Sequence, residues 1–512
     1  MNGRKIVWLA LLTLGLAAVL TAVSAAADPA DVNNPPTEDW FFDSGTDPLV
    51  ISGKTWDINY NITIANQTHV VFDNCTFTVY DMYSLNHIWI NVWWNGSLSF
   101  VNCDLKTSGN IGYFLYLENN TRFDRVDLKG LSPGFTMAGI NAYNGELLFK
   151  DVKIEDVDGV AVYTYNCNIT AMDMEVTGSG MDQTEGASFE ARYSGGQDEM
   201  YMLSFTNSKF SDNDGKGFGL RAYGNWADIE ATFDNCRFER NYMRGLDIYW
   251  GRDGSSESTN ASLDLTVTEC FFTANRHDGF RYQQYYVMRD GTGTVDVLLE
   301  DCTFSKGEGS GAFFNVYYGD QTFNIDIMGC EFTDNAVGGR AGLALSNRYV
   351  VSTWNVTVDD CTFSGNDYYG FHIEHRSTDV EGGVYRISDS TFSDHTMSLY
   401  IYNRHHGDYF NEFIIERCDF SDSKEAGIFQ QFEYCQLPID VTFEDCTFMD
   451  SEGTGISSTG YNDETDGAHW NVLGCTFSNL GDRAIKFNLD YVMSGATLEL
   501  VETSFYGVLE PY

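Results

Sequence analysis

The stretch DCTFSGNDYYGFHIE, residues 360–374, contains a frame that returns along most of the chain. Cys361 is followed two residues later by Phe363, five residues later by Asn366 and nine residues later by Gly370. Apolar and polar residues then alternate from Phe371 onward. A fixed internal period of this kind indicates a repeat architecture, in which each unit covers the apolar face of the next unit.

Four columns of residues recur in this frame, at spacings of 28 to 34 residues. Ser208, Ser390 and Thr503 take the place of cysteine in three units. The cysteine column is Cys236, Cys270, Cys302, Cys330, Cys361, Cys418, Cys446 and Cys475. The phenylalanine column is Phe210, Phe238, Phe272, Phe304, Phe332, Phe363, Phe392, Phe420, Phe448, Phe477 and Phe505. The asparagine column is Asn213, Asn241, Asn275, Asn335 and Asn366, and the glycine column is Gly217, Gly245, Gly279, Gly311, Gly339, Gly370, Gly427 and Gly455.

One unit contains three short strands. In VTFEDCTFMD, residues 441–450, apolar residues alternate before the cysteine and again after it, which is the period of a strand. The two alternating pairs are separated by a two-residue polar step, so the chain bends there, and a third strand opens after Gly455. Stacking such units predicts an all-β parallel solenoid of about 14 to 16 coils over residues 70–512, in which asparagine amides bond the next coil's backbone at a turn.

The N-terminus has the pattern of an export signal. Arg4 and Lys5 precede an apolar run and a small-residue cleavage site before Asp28. We therefore predict a signal peptide over residues 1–27, with an uncleaved anchor as the alternative, and a lead-in or cap over 28–69. Sequons for N-glycosylation fit an extracellular or cell-surface glycoprotein; they begin at Asn61, Asn66, Asn74, Asn95, Asn119, Asn168, Asn260 and Asn355.

The formal net charge of -44 excludes a nucleic-acid backbone as the default partner. It also disfavours a polyanionic polysaccharide unless cations bridge the two surfaces. The acidic side chains either solubilise the surface or form weak calcium sites; we expect no other cofactor. Zinc is not expected either, because the sequence has no Cys-x-x-Cys pair.

The cysteine column predicts reduced thiols rather than disulfides. Stacked ladder positions lie about 4.8 Å apart and point the same way. Disulfide-bonded Cβ atoms lie about 3.5–4.5 Å apart, on side chains rotated toward each other. We therefore interpret each cysteine as a small buried residue at a crowded corner.

These columns resemble the right-handed parallel β-helix proteins, a fold shared by pectate lyases, polygalacturonases and many exported surface proteins. The resemblance covers most of residues 70–512 and implies the fold, not the activity. The Asn-Thr-Asp and Gly-His-Gly motifs of polygalacturonase-type hydrolases are absent from the sequence. Asp359 and Asp360 form a paired aspartate only at a bend, and residues 483–486 only imitate the Arg-Ile-Lys motif of those hydrolases.

Candidate ligand-binding residues are the outward positions of the strand that follows the glycine. They combine aromatic rings, on which neutral sugars stack, with amide and charged groups that bond hydroxyls. Those positions include Tyr249, Arg281, Gln283, Tyr317, Asn403 and Gln431. A polar outer strand face without a ligand remains the alternative.

A denser group of candidates falls in two successive coils. A carboxylate beside histidines and arginines could act as a general acid and base on a glycoside or uronide, or bind a metal. A salt-bridged surface is the alternative. The weak catalytic candidates are His372, Glu374, Arg376, Arg404, His405 and Asp408.

Two functions remain open from the sequence. The first is an exported surface scaffold or adhesin that contacts a glycan or a surface protein, with a membrane involved only through the signal or anchor segment. The second is a polysaccharide lyase or glycoside hydrolase with its site around His372, Glu374 and His405. The short regular coils and the missing hydrolase motifs favour the first.

Overall fold

The computed structural model describes residues 32–43, 48–80, 87–108, 112–132, 138–180, 186–194, 199–222, 227–251, 262–285, 293–317, 321–335, 341–349, 353–376, 383–404, 411–434, 439–461, 469–490 and 497–508. Three strands per coil alternate along the chain, and each pairs in parallel with the equivalent strand of the next coil. We number the three sheets by position in the coil: sheet 1 follows the glycine, sheet 2 precedes the cysteine, and sheet 3 follows the cysteine. Among the described residues, no helix is long and apolar enough to cross a membrane.

Sheet 1 has 17 strands, one per coil. Its strands are Trp40–Phe42, Ile62–Ile64, His87–Val92, Gly112–Leu117, Ala138–Tyr143, Val160–Tyr165, Ala187–Tyr193, Lys216–Ala222, Leu246–Gly251, Phe280–Tyr285, Ala312–Tyr317, Ala341–Arg348, Tyr369–Arg376, Met397–Arg404, Ala426–Glu433, Thr454–Tyr461 and Ile485–Asp490.

Sheets 2 and 3 share four long strands that run through the corner between them, namely Ser97–Thr107, Thr121–Lys129, Glu146–Glu155 and Asn168–Thr177. Sheet 2 also contains Leu49–Ser52, His69–Asp73, Glu199–Thr206, Ala227–Asp234, Leu263–Thr268, Thr294–Glu300, Thr322–Met328, Trp354–Asp359, Gly383–Ser388, Asn411–Glu416, Ile439–Glu444, His469–Leu473 and Thr497–Val501. Sheet 3 also contains Thr55–Ile58, Thr76–Val79, Lys209–Ser211, Arg237–Glu239, Phe271–Thr273, Thr303–Ser305, Glu331–Thr333, Thr362–Ser364, Thr391–Ser393, Asp419–Ser421, Thr447–Met449, Thr476–Ser478 and Ser504–Tyr506.

The predicted all-β parallel solenoid is confirmed, with slightly more coils than expected. The ladders begin earlier than predicted, because Trp40–Phe42 already pairs with Ile62–Ile64, and Leu49–Ser52 pairs with residues 70–73. The described residues between 40 and 69 are therefore part of the solenoid rather than a separate lead-in. At about 4.8 Å per coil, the 17 coils make a rod about 80 Å long.

The phenylalanine column forms a continuous stack inside the rod. From Phe210 to Phe505, neighbouring rings lie 4.5 to 5.4 Å apart with planes 1 to 12° from parallel. The rings from Phe210 to Phe477 are all buried. Burying one such side chain stabilises the fold by about 1.5–3 kcal/mol, so this column is a major part of the core energy.

The cysteine column lies at the corner between sheets 2 and 3. The residue before each cysteine adopts a left-handed conformation, as Asp360 does with φ 52°, and this turns the chain into sheet 3. All eleven cysteines in the described residues are free and buried. Cys361 Sγ donates to the carbonyls of Ile327 and Asp359 at 3.5 and 3.3 Å. The single S–H hydrogen can therefore be donated to a carbonyl of either of two neighbouring coils.

The asparagine column bonds along the rod, but its amides bond the backbone of the preceding coil rather than of the next coil as predicted. Asn241 Nδ2 donates to Asn275 Oδ1 at 3.0 Å and to the Phe210 carbonyl of the preceding coil at 3.0 Å. The Asn241 backbone N–H donates to the same Asn275 oxygen at 3.1 Å. Glycine follows in each coil because the backbones approach closely there. A Cβ on Gly245 would lie 2.5 Å from the Gly279 carbonyl oxygen, closer than Cβ atoms are found in proteins.

Candidate functional site

The three strands Ala341–Arg348, Tyr369–Arg376 and Met397–Arg404 lie side by side in sheet 1. Because successive side chains of a strand point to opposite faces, every second residue of each strand faces outward. Parallel pairing then aligns the outward residues into three rows that run along the rod. The rows are Ala344, His372 and Tyr400; Ser346, Glu374 and Tyr402; and Arg348, Arg376 and Arg404.

Glu374 is the charged centre of this surface, and only 5% of its area is exposed. Its Oε2 accepts hydrogen bonds of 2.8 Å from Ser346 Oγ and from Arg348 Nη2, and Arg376 Nε contacts its Oε1. Burial alone would raise the pKa of Glu374, but the Arg348 hydrogen bond and the two positive charges outweigh it and lower the pKa. Glu374 is therefore an ionised carboxylate that orients two arginines, and it has no proton to donate near neutral pH.

His372 lies beside two tyrosine rings that stack on each other, with the Tyr369 and Tyr400 centroids 4.9 Å apart. Its ring centroid is 4.8 Å from that of Tyr369 and 5.0 Å from that of Tyr400. Burial lowers the pKa of His372 to about 4, although the nearby Glu374 charge acts in the opposite direction. The imidazole is therefore neutral at physiological pH, and its buried Nε2 has no hydrogen-bond partner among the described residues.

The tyrosine rings beside His372 are held in place by their hydroxyl groups. Tyr400 Oη donates to Gln431 Oε1 at 2.9 Å, and Tyr402 Oη donates to Glu433 Oε2 at 3.1 Å. The Arg376 guanidinium lies 5.1 Å from the centroid of the Tyr402 ring. We call Tyr369, His372, Tyr400 and Tyr402 the His372 platform; it is an aromatic surface edged by arginines, in which Tyr402 is buried and the other three side chains are half-buried.

A second aromatic group lies further along the outer face of sheet 1. Tyr249, Tyr285, Tyr317 and Tyr349 follow one another along successive coils, with ring centroids 6.2, 5.7 and 5.4 Å apart. We call these four residues the tyrosine row. They are half-buried, except for Tyr349, which is 46% exposed. The row presents partly open ring faces to solvent at a spacing of about one per coil.

The structure places most of the proposed ligand-binding residues on this face. Arg281 and Gln283 share one strand with Tyr285, facing outward, and Gln431 faces outward beside Tyr402. Tyr249 and Tyr317 belong to the tyrosine row. Whether these residues bind a ligand remains a prediction.

Asn403 does not belong to this face, contrary to the prediction. It aligns with His375 and Phe432, faces inward and is fully buried. The reason is a shorter turn: 29 residues separate Cys361 from Ser390, but only 28 separate Phe371 from its ladder partner Leu399. Counting from Ser390 therefore slips by one residue, which moves each side chain to the opposite face.

The same slip explains what the sequence interpretation missed. Tyr400 and Tyr402 occupy the outward positions that counting from Ser390 had assigned to neighbouring residues. Arg348 was missed for a similar reason, because the turn in its coil is three residues longer than the turn in the coil of Gly370. Only the alternation within LYIYNR, residues 399–404, could have located the two tyrosines. Among the weak catalytic candidates, His372, Glu374, Arg376 and Arg404 face outward together. His405, His406 and Asp408 lie outside the described residues, so their distance from Glu374 remains a prediction.

Metal binding receives no geometric support from the described part of the chain. There, no three histidine, cysteine, aspartate or glutamate side chains converge as metal ligands would. Arg404 Nε pairs with Glu433 Oε2 at 3.4 Å, so this carboxylate beside the platform already has a cationic partner. Calcium remains a prediction for this protein.

Comparison with known proteins identifies the architecture. A family model described as "Right handed beta helix region" matches residues 86–261 and 138–384, together more than half of the chain. No curated protein matches the sequence. Among solved structures, the periplasmic alginate epimerase AlgG is similar, with 10% identity, a TM-score of 0.30, and coverage of 88% of this chain and 78% of that one. The mannuronan C-5 epimerase AlgE4 A-module of Azotobacter vinelandii is also similar, with 10% identity, a TM-score of 0.33, and coverage of 80% and 88%. These likenesses concern the fold alone.

Proposed function

The chain belongs to the right-handed β-helix family, and we propose that it is an exported surface scaffold or adhesin that binds glycans along the outer face of sheet 1. The tyrosine row and the His372 platform supply the contact surface. The observation that carries this proposal is the unequal distribution of aromatic side chains among the three sheets.

Outward aromatic residues concentrate in sheet 1. In the described strands of sheet 2, no outward position holds phenylalanine, tyrosine or tryptophan, and in those of sheet 3 only Phe271 and Tyr506 do so. Strand propensity would favour tyrosine equally in all three sheets. The enrichment on one face therefore supports a role for that face in binding, against the interpretation of a merely polar outer surface.

The aromatic groups are also ordered before any ligand arrives. Tyr400 and Tyr402 are fixed by hydrogen bonds to the next coil, and the rings of the tyrosine row contact one another. A preordered surface loses little side-chain entropy on binding. A glycan that runs along the rod would meet one ring per coil and could bond Gln283, Asn315 or Gln431 beside the rings.

A second candidate function is a polysaccharide lyase or glycoside hydrolase at His372, Glu374 and His405. One observation favours it: His372 is neutral and presents a buried Nε2 without a partner, as a proton acceptor requires. The ionised state of Glu374 argues against this second function, because a carboxylate that is paired with Arg348 and Arg376 cannot act as a general acid. The scaffold therefore remains the preferred function.

An extracellular location is part of this proposal. Of the eight sequon asparagines, Asn260 lies outside the described residues, and the other seven lie on strands or turns of the solenoid. Four of these are exposed, namely Asn66, Asn74, Asn95 and Asn355. Glycosylation and the removal of residues 1–27 remain predictions that mass spectrometry of the exported protein can check.

The test is a glycan array probed with the mature chain from Asp28, with and without calcium. Tyr317→Ala removes one ring of the tyrosine row and should weaken binding of any hit severalfold, since one aromatic contact contributes about 0.5–1.5 kcal/mol. Phe271→Ala is the matched control, because Phe271 is an outward aromatic residue on sheet 3. Equal loss in both variants, or no bound glycan, would overturn the proposal.

The same array distinguishes the enzyme. Each hit is incubated overnight and examined for new reducing ends and for unsaturated products. Binding without cleavage supports the scaffold. Cleavage that Glu374→Gln and His372→Gln abolish would replace the scaffold with the lyase or hydrolase.

A further inference from the structure

Five charged residues form a cluster where the turns enter sheet 1, several coils before the His372 platform. They are Lys216, Arg244, Asp247, Asp278 and Arg281, and we call them the Arg281 cluster. Lys216, Arg244, Asp247 and Asp278 are 2, 7, 5 and 1% exposed. Three cations and two carboxylates leave one positive charge in excess, within a chain whose net charge is -44.

The two carboxylates are used by the first two cations. Lys216 Nζ pairs with Asp247 Oδ2 at 2.5 Å. Arg244 lies between both acids at longer range, with Nη1 3.7 Å from Asp247 Oδ1 and Nε 3.5 Å from Asp278 Oδ2. Asp278 Oδ1 also accepts the backbone N–H of Ser310 at 3.0 Å.

Arg281 is left without such a partner. It lies beside Asp247 in the ladder, yet no carboxylate of the described residues comes within ion-pair distance of its guanidinium. Its Nε is buried without a hydrogen-bond partner, as are Arg244 Nε and Asp247 Oδ1. A half-buried charge that lacks an ion-pair partner has lost part of its hydration, and a bound anion would compensate for that loss.

The surroundings of Arg281 can receive a sugar. Its guanidinium lies 5.9 Å from the Phe313 ring, and Gln283 and Tyr285 follow it on the same strand. On the other side of Asp247, the ladder position is Gly219, which itself contributes no side chain, although Ala187 Cβ would lie 3.0 Å from a Cβ there. The cluster therefore carries one excess positive charge at the end of the tyrosine row, with Arg281 as its most accessible cation.

We propose that the Arg281 cluster binds one anionic substituent, a carboxylate or a sulfate, of a glycan that is otherwise neutral. The inference rests on the proposed function, and it narrows the ligand class. A densely charged polyanion is disfavoured by the acidic remainder of the surface. A single anionic group on a sparsely charged glycan would meet the guanidinium at Arg281, while neighbouring neutral sugars contact Tyr249 and Tyr285.

The test uses small probes and the mature chain, by isothermal titration at constant ionic strength. Glucuronic acid and glucose 6-sulfate carry the two anionic groups, and glucose is the neutral reference. Saturable binding of one or both acids, with glucose at least about tenfold weaker, is the expected result. Which acid binds distinguishes carboxylate from sulfate.

Charge-changing variants give shifts of opposite sign. Arg281→Gln should weaken acid binding at least about tenfold, whereas Asp247→Asn, which removes a competing carboxylate, should strengthen it. Arg237→Gln is the matched control, because Arg237 lies over Phe271 on sheet 3 as Arg281 lies over Phe313 on sheet 1. A cluster that serves only folding would lower the stability of Arg281→Gln and Asp247→Asn without any opposite shifts in affinity.

The outcomes separate this inference from the proposed function. No saturable acid binding, or acid affinity that Arg281→Gln leaves unchanged, overturns the anion site even if neutral glycans bind on the array. Acid binding that depends on Arg281, without any glycan hit, supports the anion site and overturns the glycan scaffold. If Arg281→Gln fails to fold, Arg281→Lys keeps the charge but loses the planar fork, and it should retain weaker acid binding.

Discussion

The ring of Phe363 stacks on the ring of Phe392 with centroids 4.5 Å apart and planes 1° from parallel. Both side chains are buried, and each also stacks on the equivalent ring of the coil on its other side. Removing one ring therefore leaves each of its two neighbours with a stacking partner on one side only. The effect of a substitution here should exceed that of losing the same residue type at an exposed position.

Phe363→Ala should lower the free energy of unfolding by about 3–5 kcal/mol, the range for deleting a buried aromatic ring. Equilibrium urea denaturation measures this loss. Phe271→Ala, on the outward side of sheet 3, should cost less than about 1 kcal/mol. Equal losses at the two positions would show that the ring stack contributes no special stability.

Cys361→Ser should change the free energy of unfolding by less than about 1.5 kcal/mol. The reason is visible in Ser390, which occupies the cysteine column and whose Oγ donates to the Ser388 carbonyl at 2.7 Å. Cys361→Val, which removes the donor and adds a branch at a crowded corner, should cost more. The same urea measurement distinguishes them, and a more stable valine variant would contradict the hydrogen-bonding role.

The thiols should react slowly with Ellman's reagent until the protein unfolds. All eleven described cysteines are buried, so the reagent cannot reach them in the folded protein. At Cys167 burial also raises the pKa to about 11, which leaves little thiolate there at neutral pH. Mass spectrometry of the unreduced protein should show no disulfide between ladder cysteines. Rapid labelling of the native protein would contradict the assignment of these thiols to the core.

His395 should make stability depend on pH in a defined window. Burial, with the nearby Lys424 charge, lowers the pKa of His395 from 6.5 to about 3. The unfolded chain takes up a proton below pH 6.5 that the folded state refuses, so stability falls as pH drops from about 6.5 toward 3. The contribution is about 1.4 kcal/mol per pH unit in that window.

His395→Asn isolates this contribution. Asparagine already occupies the column, and Asn366 would meet an amide in place of the imidazole that now lies 3.2 Å from its Nδ2. The variant should lose stability less steeply than the wild type between pH 6 and about 4. Identical slopes in urea denaturation at several pH values would exclude His395 as a source of the acid sensitivity.

Glu374→Gln should destabilise the fold by about 1–3 kcal/mol, because it leaves the Arg348 and Arg376 charges without their carboxylate. The estimate is lower than for a fully buried pair since both arginine side chains are 39 and 41% exposed. Adding Arg348→Gln should recover part of the loss. A double variant as unstable as the sum of the single variants would show that the pair is not coupled.

The sequence alone was sufficient to predict the repeat, and the packing of three residues explains why. Cys361, Phe363 and Asn366 each pack against their own copies, so the same chemistry is required at the same place in every coil. The turn into sheet 1 is under no such constraint, and its length varies between coils. That variation misplaced Asn403 by one residue and concealed Tyr400 and Tyr402, because a face assignment fails with a single-residue slip.

The first coils were missed for a related physical reason. Trp56 and Phe77 pair in sheet 3 as the later phenylalanines do, but no cysteine precedes Trp56 at the corner. An apolar strand without a cysteine before it does not reveal the repeat spacing in the sequence. The Arg281 cluster was equally hidden, since it depends on which charges lie side by side and which one remains without a counterion.

The asparagine column joins residues that are only about one repeat apart, 28 residues for Asn213 and Asn241 and 34 for Asn241 and Asn275. In this part of the chain, each coil therefore pairs with a coil that is synthesised directly before or after it. Folding can proceed from the N-terminal end in the order of synthesis, each finished coil serving as the template for the next. A chain that is exported in an extended form through a narrow channel could in this way fold as it emerges. Each coil that has folded outside the channel would then prevent the chain from moving back.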